Sequence, residues 1–134
     1  MSPSAVSLVR LAAINGLVAV ALGAFGAHTL RDRISPEMLA IWKTGTDYHL
    51  SHALALLLTA LICDRFLVAG NTVAANRARG AGLLFAVGIL IFSGSLYALA
   101  TTGLRVLGAI TPLGGLCFLS GWLLLLFAPK SVQK

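Results

Sequence analysis

Charge is what this chain has least of. Only 10% of its 134 residues are Asp, Glu, Lys or Arg, and just four of these are acids. Soluble domains carry about 25% charged residues, so this composition cannot clothe a water-facing surface. The four acids, Asp32, Glu37, Asp47 and Asp64, are scattered along the chain. Paired-carboxylate acid–base chemistry therefore has no material, and no Ser-His-Asp or Cys-His arrangement replaces it. The reading is of a protein that is not an enzyme. Asp47, near a span end, is thin support for a proton pathway.

Cysteine is scarce as well. Cys63 is expected at the inner end of one apolar segment and Cys117 near the middle of another. They would lie more than ~10 Å apart in depth, beyond the ~7 Å reach between Cα atoms in a disulfide. Neither has the spacing of a metal or redox motif. A basic stripe is also missing. The net charge is +6, yet the ten basic residues are dispersed between apolar runs, where membrane topology accounts for them. That excludes nucleic acid as the expected partner.

What is present is apolar length. Hydrophobic residues make up 58% of the chain, and the mean hydropathy is +0.94. A spanning helix needs roughly 20 apolar residues. Four such runs fit, at about 8–30, 45–65, 80–101 and 108–129, within a single domain covering residues 1–134. The expected fold class is all-α, a four-helix transmembrane bundle running up-down-up-down, and its expected surroundings are the lipid bilayer. The first run ends in Ala24-Phe-Gly-Ala27, which resembles a cleavage site. The run is nevertheless longer than the 7–15 residues typical of a signal h-region, so it reads as a retained helix.

Polar punctuation sets the ends. Ser35-Pro36-Glu37 combines a capping hydroxyl, proline at the first helical position and an acid at the positive dipole end. From Pro36 to Cys63 a helix would measure about 42 Å, longer than the ~30 Å hydrocarbon core. Residues 36–44 are therefore expected to protrude or to lie along the interface, with Gly45 as the bend. Thr111-Pro112 reads as the cap and first residue of the fourth helix, in preference to a kink within it. With the N-terminus inside, Arg10, Arg65, Arg77, Arg79, Lys130 and Lys134 fall on the inner side. Arg31, Arg33, Lys43 and Arg105 fall outside. The bias favours an N-in, C-in orientation.

Two sets of residues stand out within the spans. On the first helix, taken at about 100° per residue, Ala12, Gly16, Ala19, Gly23, Gly26 and Ala27 share one face with Asn15 at its edge. Such a stripe of small residues allows close approach of another helix. The second set is polar: His28, Tyr48, His52, Ser93, Tyr97 and Thr111. Up-down-up-down topology brings all six into the leaflet opposite the termini. Polar side chains at membrane depth mark function by default. Against that stands a purely structural network of interhelical hydrogen bonds, with Tyr48, Tyr97 and Trp42 as interfacial belt residues. His28 with His52, or His49 with His52, raises haem or metal binding as a weaker option; no cofactor is expected.

The chain resembles a known family at these same residues. The carriers are Asn15-Gly16, Gly23-Ala-Phe-Gly-Ala-His28, Trp42-Lys-Thr-Gly45, Tyr48-His-Leu-Ser-His52-Ala53, Phe92-Ser-Gly-Ser-Leu-Tyr97, Thr111-Pro-Leu-Gly-Gly115 and Gly121-Trp122. In order and spacing they are similar to domain-of-unknown-function family 423, whose animal members are called transmembrane protein 256-like. The likeness covers about residues 8–128. One departure is His49, where similar proteins often carry glutamine. The resemblance implies a four-span protein of the bacterial inner membrane or of mitochondria, and brings no reaction, substrate or catalytic residue. The leading expectation is a structural or accessory protein, a homo-oligomer or part of a larger membrane complex, packing through its Gly/Ala faces. The alternative is a small-molecule, lipid or ion binding or transport module with a polar outer-leaflet pocket.

Overall fold

A computed structural model describes residues 1–128. Four long helices account for nearly all of it: α1 (Pro3–Leu30), α2 (Pro36–Val68), α3 (Thr72–Thr102) and α4 (Val106–Leu126), each long and apolar enough to cross a bilayer. They are joined by short turns and alternate in direction, so both ends of the described chain lie on the same side. Pro129, Lys130 and Lys134, which the sequence reading used for the last span and the charge count, lie outside the described residues.

The helix ends follow from local chemistry. Ser2 caps α1 by accepting from Ala5 N, and Ser35 caps α2 by accepting from Met38 N, each with proline just inside. Asn71 Oδ1 accepts from Ala74 N at 3.0 Å and opens α3. Two turns need a left-handed residue, and glycine supplies it in both: Gly70 at φ +73° and Gly103 at φ +71°, where a side chain would be strained. Arg77 Nη1 donates to Phe127 O at 2.6 Å, placing a cation on the carbonyl end of α4. At the same end of the molecule the amide of Ser2 donates to Asp64 Oδ1 at 2.7 Å and ties the start of α1 to α2.

Two sequence expectations are corrected. Residues 36–44 are the first turns of α2, and the helix runs unbroken through Gly45, which is not a bend. Gly45 is a contact instead of a bend: a Cβ there would stand 2.9 Å from the Tyr97 ring. Trp42 is buried, and its indole N–H donates to Leu22 O on α1 at 3.0 Å. The fourth helix begins at Val106, with Pro112 inside it. Thr111 does not cap; its hydroxyl reaches back to Leu107 O and lies 2.8 Å from the Ser95 hydroxyl of α3. Pro112 has no N–H to give the Gly108 carbonyl, a loss that spanning helices tolerate where neighbouring groups re-satisfy the freed backbone.

The helices form an open arrangement. α2 and α3 are the central pair, α1 lies mainly on α2, and α4 lies on α3. The main core is Leu8, Ala12, Ala53, Leu56, Phe85, Ile89 and Phe118. Around it the outer surface is leucine-rich: Leu17 is 73% exposed, Leu90 75% and Leu119 67%, which only a hydrocarbon solvent accepts.

Candidate functional site

The α3–α4 seam is tight. A Cβ on Gly114 would collide with the Phe92 backbone, one on Gly88 would come 3.2 Å from Gly114 O, and one on Gly121 would come 3.2 Å from Ala81 O. Facing glycines therefore bring these helices to backbone contact, as small residues do in membranes. Phe92 lies in the π-turn Ile89–Ser93, a local widening of α3 that often accompanies a functional position.

On α1 the outcome differs from the expected face. Ala12, Ala19 and Gly26 are buried, Asn15, Gly16 and Gly23 are half-buried, and Ala27 is exposed. The buried line is Ala5-Leu8-Ala12-Ala19-Gly26-Leu30. A Cβ at Gly16 or Gly23 would meet nothing within 4 Å. Only Gly26 is a close approach, under the Trp42 ring.

The six polar residues do not converge on one pocket. His28 is exposed on the π-turn Gly26–Leu30. Thr111 pairs with Ser95. Ser93 is fully buried on α3, and its hydroxyl has no partner among the described residues. Tyr48 and His52 stack on each other, with ring centroids 5.8 Å apart. Tyr97 turns away from them towards His49. Topology equalised their depths, but it did not fix their direction around each helix.

Two lateral clefts result. In the first, of about 530 Å³ between α2 and α4, Tyr48, His52, Phe92, Phe118 and Trp122 line the space with Pro112 and Gly115. His52 lies flat on Phe118, with centroids 3.6 Å apart and planes at 13°. Its Nδ1 is 2.9 Å from Tyr48 O and therefore carries the proton. That leaves Nε2 as acceptor for the Trp122 indole N–H at 3.4 Å. Both ring nitrogens are thus engaged, and His52 offers nothing to a second imidazole. Among the described residues no three His, Cys, Asp or Glu side chains gather as a metal site would need.

In the second cleft, of about 260 Å³ between α1 and α3, the floor is His49. Sequence reasoning named this residue only as a weak metal partner of His52 and as a departure from similar proteins, and left it out of the polar set. His49 Nε2 lies 3.2 Å from Asn15 Oδ1 and Nδ1 lies 3.2 Å from the Tyr97 hydroxyl, so one ring joins three helices. The proton positions follow. Asn15 Nδ2 donates to Leu11 O at 2.8 Å, which leaves Oδ1 to accept from His49 Nε2–H. Nδ1 of the neutral ring then accepts from Tyr97 O–H. The signal that could have found this was a histidine and an asparagine at equal depth on adjacent helices.

This arrangement defines a polytopic α-helical membrane protein in which two of the clefts among the described residues are each floored by a histidine of the same helix. The chain belongs to the family described as Protein of unknown function (DUF423), whose profile matches residues 22–115. It is similar to the UPF0382 membrane protein YwdK of Bacillus subtilis, 46% identical over 118 residues, 88% of this chain and 91% of that one. A UPF0382 membrane protein of Staphylococcus epidermidis is 47% identical over 118 residues, 88% and 90% of the two chains. No solved structure matches.

Proposed function

We propose that this protein is a non-catalytic binding module of the bacterial cytoplasmic membrane, oriented N-in and C-in, which takes up a ring-bearing apolar molecule from the bilayer into the α2–α4 cleft. The observation that carries this reading is the gap itself. Among the described residues α2 and α4 are bridged by stacked rings and the Trp122–His52 hydrogen bond, and beside those rings about 530 Å³ stays open towards Leu116, Leu119 and Trp122. Small-molecule sites are concave, mostly apolar and aromatic, with few polar groups, and this cleft has that character. The test is mass spectrometry of protein purified in native bilayer discs. A ring-bearing apolar compound should be retained near stoichiometry, and Gly115→Leu, which projects a side chain into the cleft, should lose it. Retention of bulk lipids alone, unchanged by Gly115→Leu, defeats the reading.

A second reading keeps the accessory role. The unfilled positions Gly16 and Gly23 continue with Ala13, Val20 and Ala27 as a small-residue strip on the outside of α1, a shape that suits a second copy of the same helix. Native mass spectrometry in mild detergent would then give a dimer that Gly16→Leu and Gly23→Leu convert to monomer. A monomer throughout removes it.

A further inference from the structure

We propose that the α1–α3 cleft is a second, separate site, which binds the head of a neutral single-chain amphiphile carrying a hydroxyl group. The argument rests on hydrogen-bonding capacity left over after the Tyr97–His49–Asn15 chain is complete. Tyr97 O–H is spent on His49 Nδ1, but the phenol oxygen still has a lone pair and no second partner among the described residues. Asn15 uses one N–H on Leu11 O and keeps the other. Both side chains line the same cleft. They therefore present an acceptor and a donor together, the complement of a hydroxyl group, which donates once and accepts once.

The surroundings select against charge. No Lys, Arg, Asp or Glu lines the cleft, and an ion at this depth without a counter-charge is costly, so phosphate and carboxylate heads are disfavoured. The rest of the lining includes Val18, Leu90 and Gly94. Val18 is 40% exposed and Leu90 75%, so a chain attached to the head can leave past them into the bilayer. The volume of about 260 Å³ falls just under the range usual for whole small-molecule pockets, and suits a head with the first part of its chain. Gly94 borders open space, since a Cβ there would meet nothing within 4 Å.

The probe is a long-chain fatty alcohol with a photoreactive diazirine on the chain near the hydroxyl, incorporated with the full-length protein into phosphatidylcholine nanodiscs. Irradiation should label α1 and α3 around Val18 and Leu90, and excess oleyl alcohol should suppress the label. Methyl oleate, which can accept but not donate, should need about tenfold more, the equivalent of one hydrogen bond. Gly94→Leu should abolish the label by filling the cleft. Tyr97→Phe should reduce it without changing the volume, which keeps the test decisive if the leucine variant fails to fold. The proposal is overturned by label spread over lipid-facing leucines such as Leu17 and Leu58 without competition, or by label unaffected in both variants. Label confined to Leu116 and Leu119 also overturns it while leaving the α2–α4 reading intact. Label at Val18 and Leu90 in a protein that retains nothing between α2 and α4 supports this site and removes the other.

Discussion

The α1–α2 seam and the α3–α4 seam are built from similar residues and held by different physics. Both outer helices carry several glycines. On α4, Gly114 and Gly121 are pressed against α3 to backbone distance. On α1, a Cβ at Gly16 or Gly23 would meet nothing within 4 Å, and the helix is held by the Trp42–Leu22 and Asn15–His49 bonds together with apolar side chains. A glycine in a membrane helix permits closeness without enforcing it. Shape decides on one side, and specific polar contacts decide on the other.

Small additions should separate the two seams most sharply. Gly114→Ala places a methyl group into the Phe92 backbone, which cannot rotate away as a side chain could. Overpacking of this kind costs about 1–3 kcal/mol. A lower melting temperature in detergent, with Gly88→Ala following the same direction, is the expected result. A neutral Gly114→Ala would mean that the α3–α4 contact is looser than its geometry.

The polar side of the comparison is tested at His49. His49→Leu removes two interhelical bonds and strands the Tyr97 hydroxyl and the Asn15 amide. Interhelical hydrogen bonds in membranes are worth about 0.6 kcal/mol on average and up to about 1.7, so a loss of about 1–2 kcal/mol is expected in the same melting assay. His49→Gln keeps a donor and an acceptor and should recover much of it. Equal losses in both variants would show that the ring's packing, and not its hydrogen bonds, holds the seam. Trp42→Phe should cost less, about 1 kcal/mol, by deleting the single bond to Leu22 O.

The four spans were legible because hydropathy and helix caps are local properties. Ser35-Pro36 opened α2 as written, and the absence of charge left no alternative to the bilayer. Direction around each helix was much less legible. An arc through Ala12, Gly16, Ala19 and Gly23 averages two faces, because small size is not itself a sign of burial. The face that α1 turns inward includes Leu8 and Leu30, which are large, and leaves Gly16 and Gly23 only half-covered. The polar cluster failed for the same reason. Tyr48 and His49 are neighbours in depth, yet about 100° apart on the helix, so one looks towards α4 and the other towards α1. Thr111-Pro112 misled because a cap signal and an internal proline share a spelling. The hydroxyl was already satisfied by Leu107 and Ser95, which lie outside the motif.

The smallest expected effect is the most informative about α1. Gly16→Ala and Gly23→Ala introduce methyl groups into open space, so no packing term opposes them within a single copy. Replacing glycine by alanine in a helix interior instead relieves a propensity cost of about 0.5–1 kcal/mol. Melting temperature should therefore stay level or rise slightly, opposite in sign to Gly114→Ala. If both variants destabilise the protein at high concentration but not at low, the missing contact belongs to a second molecule, because only an intermolecular interface depends on concentration. If they destabilise equally at all concentrations, α1 sits closer to its neighbours than its open glycines indicate, and the contrast between the two seams fails.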